Sequence, residues 1–186
     1  MSRPEGRLFV ISAPSGAGKG TIIQYLLQTR PELVFSVSAT TRAPRAGEQE
    51  GVSYYYVTRE RFLEMISNDE FFEYAEYVGE FYGTPKKPIL ECVGLGKNVL
   101  LDIEIQGARQ ILAKMPEAVT IFIVPPDMEE LERRLRGRGT DTEEKLKARL
   151  ERATLEMREK DFYKHIIVND TVSRAAEEIL SIINTK

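Results

Sequence analysis

The chain has 186 residues, 42% hydrophobic and 30% charged, with a formal net charge of -3. That length supports one domain with a sizeable core, and the acidic balance argues against a general nucleic-acid binder, which would be basic. A single cysteine, Cys92, excludes an internal disulfide, and a single histidine, His165, leaves little for Cys–His catalysis or a histidine metal site.

Both Cys92 and His165 are read as structural. The N-terminus has no signal-peptide pattern, and no apolar run approaches the ~18 residues of a membrane span. The expected setting is soluble and cytoplasmic, with no membrane or nucleic-acid partner.

In chain order, Leu8 to Ile11 is a continuous apolar run, the pattern of a strand buried on both faces of a parallel sheet. Ala13-Pro14-Ser15-Gly16-Ala17-Gly18-Lys19-Gly20-Thr21 follows, and Thr21 to Leu27 has helical character. A glycine-rich turn between a buried strand and a helix is the setting of a phosphate-binding loop. Its glycines let successive N–H groups point into one concavity, and the helix N-terminus adds partial positive charge. Lys19 adds a mobile full charge. The usual G-x-x-x-x-G-K-[ST] is missed twice, with Ala13 for the first glycine and Gly20 for the hydroxyl. Thr21 offers a hydroxyl one position late, to hold Mg2+ directly or through water, since Mg2+ keeps several waters in most sites.

Residues 36–92 are rich in tyrosine and phenylalanine and read as an inserted mixed subdomain. Arg42 and Arg45 stand either side of Pro44, with Tyr54 after them. Two forked guanidiniums and a phenol suit a phosphate monoester. Tyr55 and Tyr56 read as packing residues. A short helix is expected over Arg59 to Asn68, between the runs Tyr54 to Val57 and Phe71 to Tyr77.

Buried runs return at Val99 to Leu101, Val119 to Val124 and Ile166 to Val168. Helices are expected over 105–114, 127–136, 142–160 and 171–183. Strands alternating with helices predict a parallel α/β sheet with helices on both sides. In 142–160, Leu146, Leu150, Ala153 and Met157 share a face, with Glu143–Lys147 and Glu156–Lys160 as surface pairs. Asp141 or Thr142 is the expected cap. Arg133, Arg134, Arg136 and Arg138 precede it and read as a mobile arginine lid hinged at Gly137 and Gly139. Arg149 would point back into the same cleft.

These stretches together resemble the guanylate kinases. The phosphate loop, "FSVSATTRAPRAGEQEGVSYYYV", "EFYGT", "LLDIEIQG", "RLRGRGTDTEE" and "IVND" match in order, nearly end to end. The resemblance implies an α/β P-loop nucleoside monophosphate kinase fold, a parallel core sheet flanked by helices. The core would span about 1–35, 93–136 and 144–186, with a GMP-binding insertion at about 36–92 and a lid at about 137–143. It implies Mg2+-dependent phosphoryl transfer from ATP to GMP, and to dGMP, as a step of GMP recycling. It assigns Ser38, Arg42, Arg45, Tyr54, Glu73, Tyr82, Thr84 and Asp102 to GMP. Lys19, Arg134, Arg138 and Arg149 fall around the transferring phosphoryl group. Residues 13–21 bind ATP, and Asn169 falls near its adenine end.

Two departures stand out. Lys19-Gly20-Thr21 is closer to the order in adenylate kinases, and Asp102-x-Glu104 lengthens the second acid of the family's pattern. An AMP-using kinase is therefore one competing reading. A phosphopeptide-binding module without turnover is another, which the retained Lys19 and arginines disfavour. The chemistry of guanine favours the GMP kinase over the AMP-using one. The carboxylates of Glu73 and Asp102 accept from its N1–H and N2 amine but repel adenine N1, and the hydroxyls of Ser38 or Thr84 suit O6.

Overall fold

The computed structural model describes residues 6–137 and 142–185. Along these the order is β1 (Leu8–Ser12), α1 (Lys19–Thr29), β2 (Val34–Phe35), β3 (Ala39–Thr40), β4 (Tyr55–Tyr56), α2 (Arg59–Ser67), β5 (Phe71–Tyr77), β6 (Glu80–Pro85), α3 (Lys86–Gly94), β7 (Val99–Asp102), α4 (Ile105–Lys114), β8 (Val119–Val124), α5 (Met128–Gly137), α6 (Glu143–Met157), β9 (His165–Val168) and α7 (Val172–Asn184).

The core sheet has the order β2-β7-β1-β8-β9, and every pairing in it is parallel. β1 is fully buried, as its apolar run predicts, and its alternate residues feed two separate layers. Phe9 and Ile11 pack with Ile22, Ile23 and Leu26 of α1 and Ala176 and Ile179 of α7. Leu8 and Val10 pack with Ile89 of α3 and Ala108 and Ile111 of α4. A central parallel strand needs helices on both faces for this reason.

The second sheet, β4-β3-β6-β5, is mixed: β3 pairs parallel with β4, and β6 pairs antiparallel with both β3 and β5. One face rests on α2, where Phe62 stacks between Phe71 at 4.5 Å and Phe81 at 5.2 Å. Phe62 and Phe71, fully buried, each contribute on the order of 2–3 kcal/mol, and Phe81 is partly buried. Lys114 of α4 donates to the Phe71 carbonyl at 2.8 Å, tying this sheet to the core.

Several local expectations need correction. The sequence pattern announces no helix at α3, which lies partly inside the stretch read as insertion, and its Ile89 belongs to the core layer. α6 stops at Met157, and a 3-10 turn over Lys160–Phe162 follows. Its acids take other partners than expected: Glu143 meets Arg136, and Glu156 meets Arg152 at 2.8 Å. Thr142 caps α6 by accepting from the Lys145 N–H. Arg138, Gly139 and Asp141, named from the sequence, lie outside the described residues. Cys92 packs half-buried beside the core, and His165 opens β9 with its pKa lowered by burial. No described helix is long and apolar enough to cross a membrane.

Candidate active site

β1 and β7 run side by side, with Ile11 opposite Asp102 at their C-terminal ends. Ligands of open parallel sheets bind at this edge. The glycine-rich loop leaves β1 here. Gly16 and Gly18 hold φ of 92° and 90°, a region L side chains avoid. A Cβ at Gly18 would lie 2.4 Å from Asn169 Nδ2, and one at Gly16 would lie 2.7 Å from Leu135. Gly20 has nothing within 4 Å.

Gly18 is the N-cap of α1, and no side chain caps that helix. Among the described residues the N–H groups of Gly16, Gly18, Lys19, Gly20 and Thr21 take no hydrogen bond. A helix start with free donors and no acid in its first turn is an anion site. Lys19 reaches across to Asp102, and the two form an ion pair.

The loop opens onto a cleft of about 350 Å³, which Glu104, Ile105, Arg152 and Glu156 also line. That volume suits a small-molecule site. From α6, Arg149 donates to the Ser15 hydroxyl at 2.8 Å, and Glu156 accepts the Ser15 N–H at 3.3 Å. Arg152 bridges Glu156 and Glu104, the latter at 2.9 Å. Neither Arg152 nor Glu156 stands out in the sequence, because their role appears only when α6 lies across the loop.

The arginines before this helix divide by face. Arg134 donates to the Asn169 carbonyl at 2.9 Å and lies 3.5 Å from the Ala17 carbonyl. Arg134 also pairs with Glu130 at 2.7 Å, but Arg133 and Arg136 meet only acids, Arg133 with Glu130 and Arg136 with Glu132 and Glu143, and are ordinary surface cations. Asn169 is buried behind the loop and donates Nδ2 to the Ala17 carbonyl at 2.7 Å. Its Oδ1 is buried and unpartnered among the described residues.

The second sheet packs against α4 through β5. Ala39, Tyr55 and Phe71 point to its core with α2, so period-two alternation turns Ser38, Thr40, Tyr54 and Tyr56 to the other face. Thr40 sits opposite Tyr82, and Glu73 opposite Thr84, which adds those three to the same face. Glu73 is 8% exposed, and the Thr84 hydroxyl donates to its Oε1 at 2.5 Å. Burial, the leading cause, raises the Glu73 pKa; Thr84 and Lys114 oppose it. Its Oε2 lies 3.3 Å from where a Gly107 Cβ would be, beside the first turn of α4. Asp102 lies just ahead of that helix, so Glu73 and Asp102 flank its start.

Arg42 lies over the Tyr54 ring at 5.4 Å, and Tyr54 meets Tyr82 edge-on at 6.0 Å. The cluster also contains Glu48, which no sequence signal marked. Its carboxylate grips Arg42 with both oxygens and takes the Tyr56 hydroxyl at 2.8 Å. Tyr56 is thus a hydrogen-bond partner and not only a packing residue. Sequence spacing suggested a phosphate pocket at Arg42, Arg45 and Tyr54, and the fold brings Arg42, Tyr54 and Tyr82 together.

The family model described as guanylate kinase matches residues 5–186. The chain belongs to the guanylate kinase family. The guanylate kinase of Synechococcus sp. (strain JA-3-3Ab) is 50% identical over 178 residues, covering 96% of this chain and 82% of its own. That of Trichormus variabilis (strain ATCC 29413 / PCC 7937) is 52% identical over 174 residues, covering 94% and 87%. The crystal structure of guanylate kinase from Anaplasma phagocytophilum is 40% identical, with a TM-score of 0.76 over 97% of this chain and 85% of that one.

The mixed α/β architecture is accordingly the P-loop nucleoside monophosphate kinase fold, with a parallel core sheet flanked by helices. The uncapped loop and Lys19 lie at the C-terminal edge of the core sheet, and Glu73, bonded to Thr84, lies beside α4, which follows β7 at that edge.

Proposed function

We propose that this chain transfers the γ-phosphoryl group of ATP to GMP, and to dGMP, giving ADP and GDP, and so recycles GMP in the cytoplasm. The observation that carries this reading is the pairing of two unlike walls across one sheet edge. One offers free backbone donors to a polyphosphate. The other sets a buried carboxylate, Glu73, on the face that also presents Tyr54 and Tyr82.

In this reading the guanine donates N1–H and its N2 amine to Glu73 and Asp102, while Thr84 or Ser38 serves O6. Arg42, Arg45, Tyr54 and Tyr82 take the acceptor phosphate. The donor triphosphate lies on residues 13–21, and an adenine N6 amine would satisfy the unpartnered Asn169 Oδ1. An oxygen of the GMP phosphate forms the new bond to the γ-phosphorus as the bridging bond to ADP breaks. The acceptor is already an anion, so no general base is required.

Catalysis is then positioning and charge neutralisation. Lys19 leaves Asp102 for phosphoryl oxygens, and Arg134, Arg138 and Arg149 offset the charge of two polyanions. Closure of the lid at about 137–143 excludes water, which would otherwise take the phosphoryl group. No described group of three or more His, Cys, Asp or Glu side chains is set to hold a metal. The exposed Thr21 hydroxyl beside the loop suits Mg2+ carried in on the triphosphate, with phosphates and water as its other ligands. Bound there, the ion would neutralise phosphate charge.

The test is product analysis with ATP and GMP. Equal amounts of ADP and GDP are expected. ATP hydrolysis without GDP would contradict the reading.

A further inference from the structure

Glu48 stands outside every role assigned above, yet its carboxylate receives four donors. Arg42 reaches Oε2 through NH1 at 3.0 Å and Oε1 through NH2 at 2.9 Å. The Arg45 backbone N–H and the Tyr56 hydroxyl reach Oε2 at 2.7 and 2.8 Å. The local sequence explains how. Gly47 adopts φ of 87°, and the Glu48 N–H closes a turn onto the Arg45 carbonyl at 3.1 Å. That turn folds the acid back over both arginines.

The grip on Arg42 uses its two terminal nitrogens. NH1 also donates to the Ala43 carbonyl at 2.8 Å. The Tyr82 hydroxyl also meets this guanidinium; among the described residues the Nε–H has no acceptor in hydrogen-bond geometry, so the side edge of the fork can take a ligand beside Tyr82. A guanidinium offers two bidentate edges, and a phosphate can use the second while a carboxylate holds the first. An arginine held in place before its ligand arrives loses less freedom on binding. The Glu48 carboxyl is itself held down to about 2, chiefly by Arg42, so it stays ionised at working pH.

We propose that Glu48 is a positioning residue for the acceptor phosphate, acting through Arg42 by fixing the outer end of its guanidinium and leaving the Nε edge to the ligand. This rests on the reading that Arg42, with Arg45, Tyr54 and Tyr82, holds the GMP phosphate. Charge alone gives the opposite sign. A carboxylate near a phosphate dianion repels it, so a residue acting only by charge would weaken GMP binding, and its removal would tighten it.

The test compares steady-state kinetics and thermal unfolding of the wild type, Arg42→Ala, Glu48→Ala, Glu48→Gln and the double alanine variant. Arg42→Ala should raise KM for GMP by on the order of tenfold or more. Glu48→Ala should also raise it, with KM for ATP unchanged. Glu48→Gln, able to keep an acceptor for the three donors on Oε2, should fall between. The double variant should lose less than the product of the single effects, as expected when one residue works through the other.

An unchanged KM for GMP in Arg42→Ala would overturn the placement of the phosphate itself. With that placement upheld, any of three results would overturn the role of Glu48. These are an unchanged or lowered KM for GMP in Glu48→Ala, an equal rise in KM for ATP, and full multiplication in the double variant.

Discussion

Lys19 and Asp102 form an ion pair across the ends of β1 and β7, so the mobile cation of the phosphate loop rests on a carboxylate of the facing strand. Both side chains are largely shielded. In the proposed reaction an incoming phosphate would compete for the lysine, and its release would leave the Asp102 carboxylate ready to accept hydrogen bonds.

Lys19→Ala is expected to lower kcat by about 10²–10³-fold, the usual loss when one donor to a developing charge is removed. The fold should survive, because the side chain lies at a rim and not in a core layer. Coupled detection of ADP, with circular dichroism as the control, checks this. Near-normal turnover would remove Lys19 from the mechanism.

The glycines of the loop should separate sharply. Gly18→Ala must place a Cβ in the left-handed region and 2.4 Å from Asn169 Nδ2, so ATP binding should be lost or greatly weakened. Gly20→Ser meets open space, and activity should stay within about tenfold of the wild type, since Mg2+ can be held by phosphates and water. Titration with ATP alone measures the first, and kcat/KM the second. Equal damage from both would mean that free space at position 20 is irrelevant to the loop.

How far this was legible beforehand differs from residue to residue. The β1 run and its glycines announce themselves, because a doubly buried strand and a left-handed turn each restrict residue type severely. Glu73 is different: in sequence it is one acid among aromatic residues, and only the pairing with β6 reveals that it is buried beside Thr84. Arg134 and Arg136 have the same chemistry and nearly the same position, and the helix face alone separates them. Glu48 depends on a turn of a few residues, and Arg152 and Glu156 depend on where α6 comes to rest. Contacts made between distant segments leave no local pattern to read.

Glu73 also predicts a trade between stability and binding. Its pKa is raised above 4.5, so the folded protein holds that proton more tightly than the unfolded chain does. The cost of the buried charge is absent below the unfolded value and complete above the raised one. Stability therefore falls as pH climbs through that window. Glu73→Gln removes the fall: its Tm should match the wild type near about pH 4 and exceed it near about pH 7. Its KM for GMP should rise by about tenfold or more, because the amide presents donors to a base edge that also donates. A neutral-pH Tm below that of the wild type would show that the charge is not a burden to the fold.

The central claim is that a guanine-reading wall faces an ATP-binding loop, and the most direct measurement is the ratio of kcat/KM for GMP to that for AMP, with ATP as donor. Carboxylates at Glu73 and Asp102 should favour GMP by about 10⁴-fold or more, because adenine leaves buried acceptors without donors. Comparable rates with the two acceptors, or faster turnover of AMP, would contradict the account.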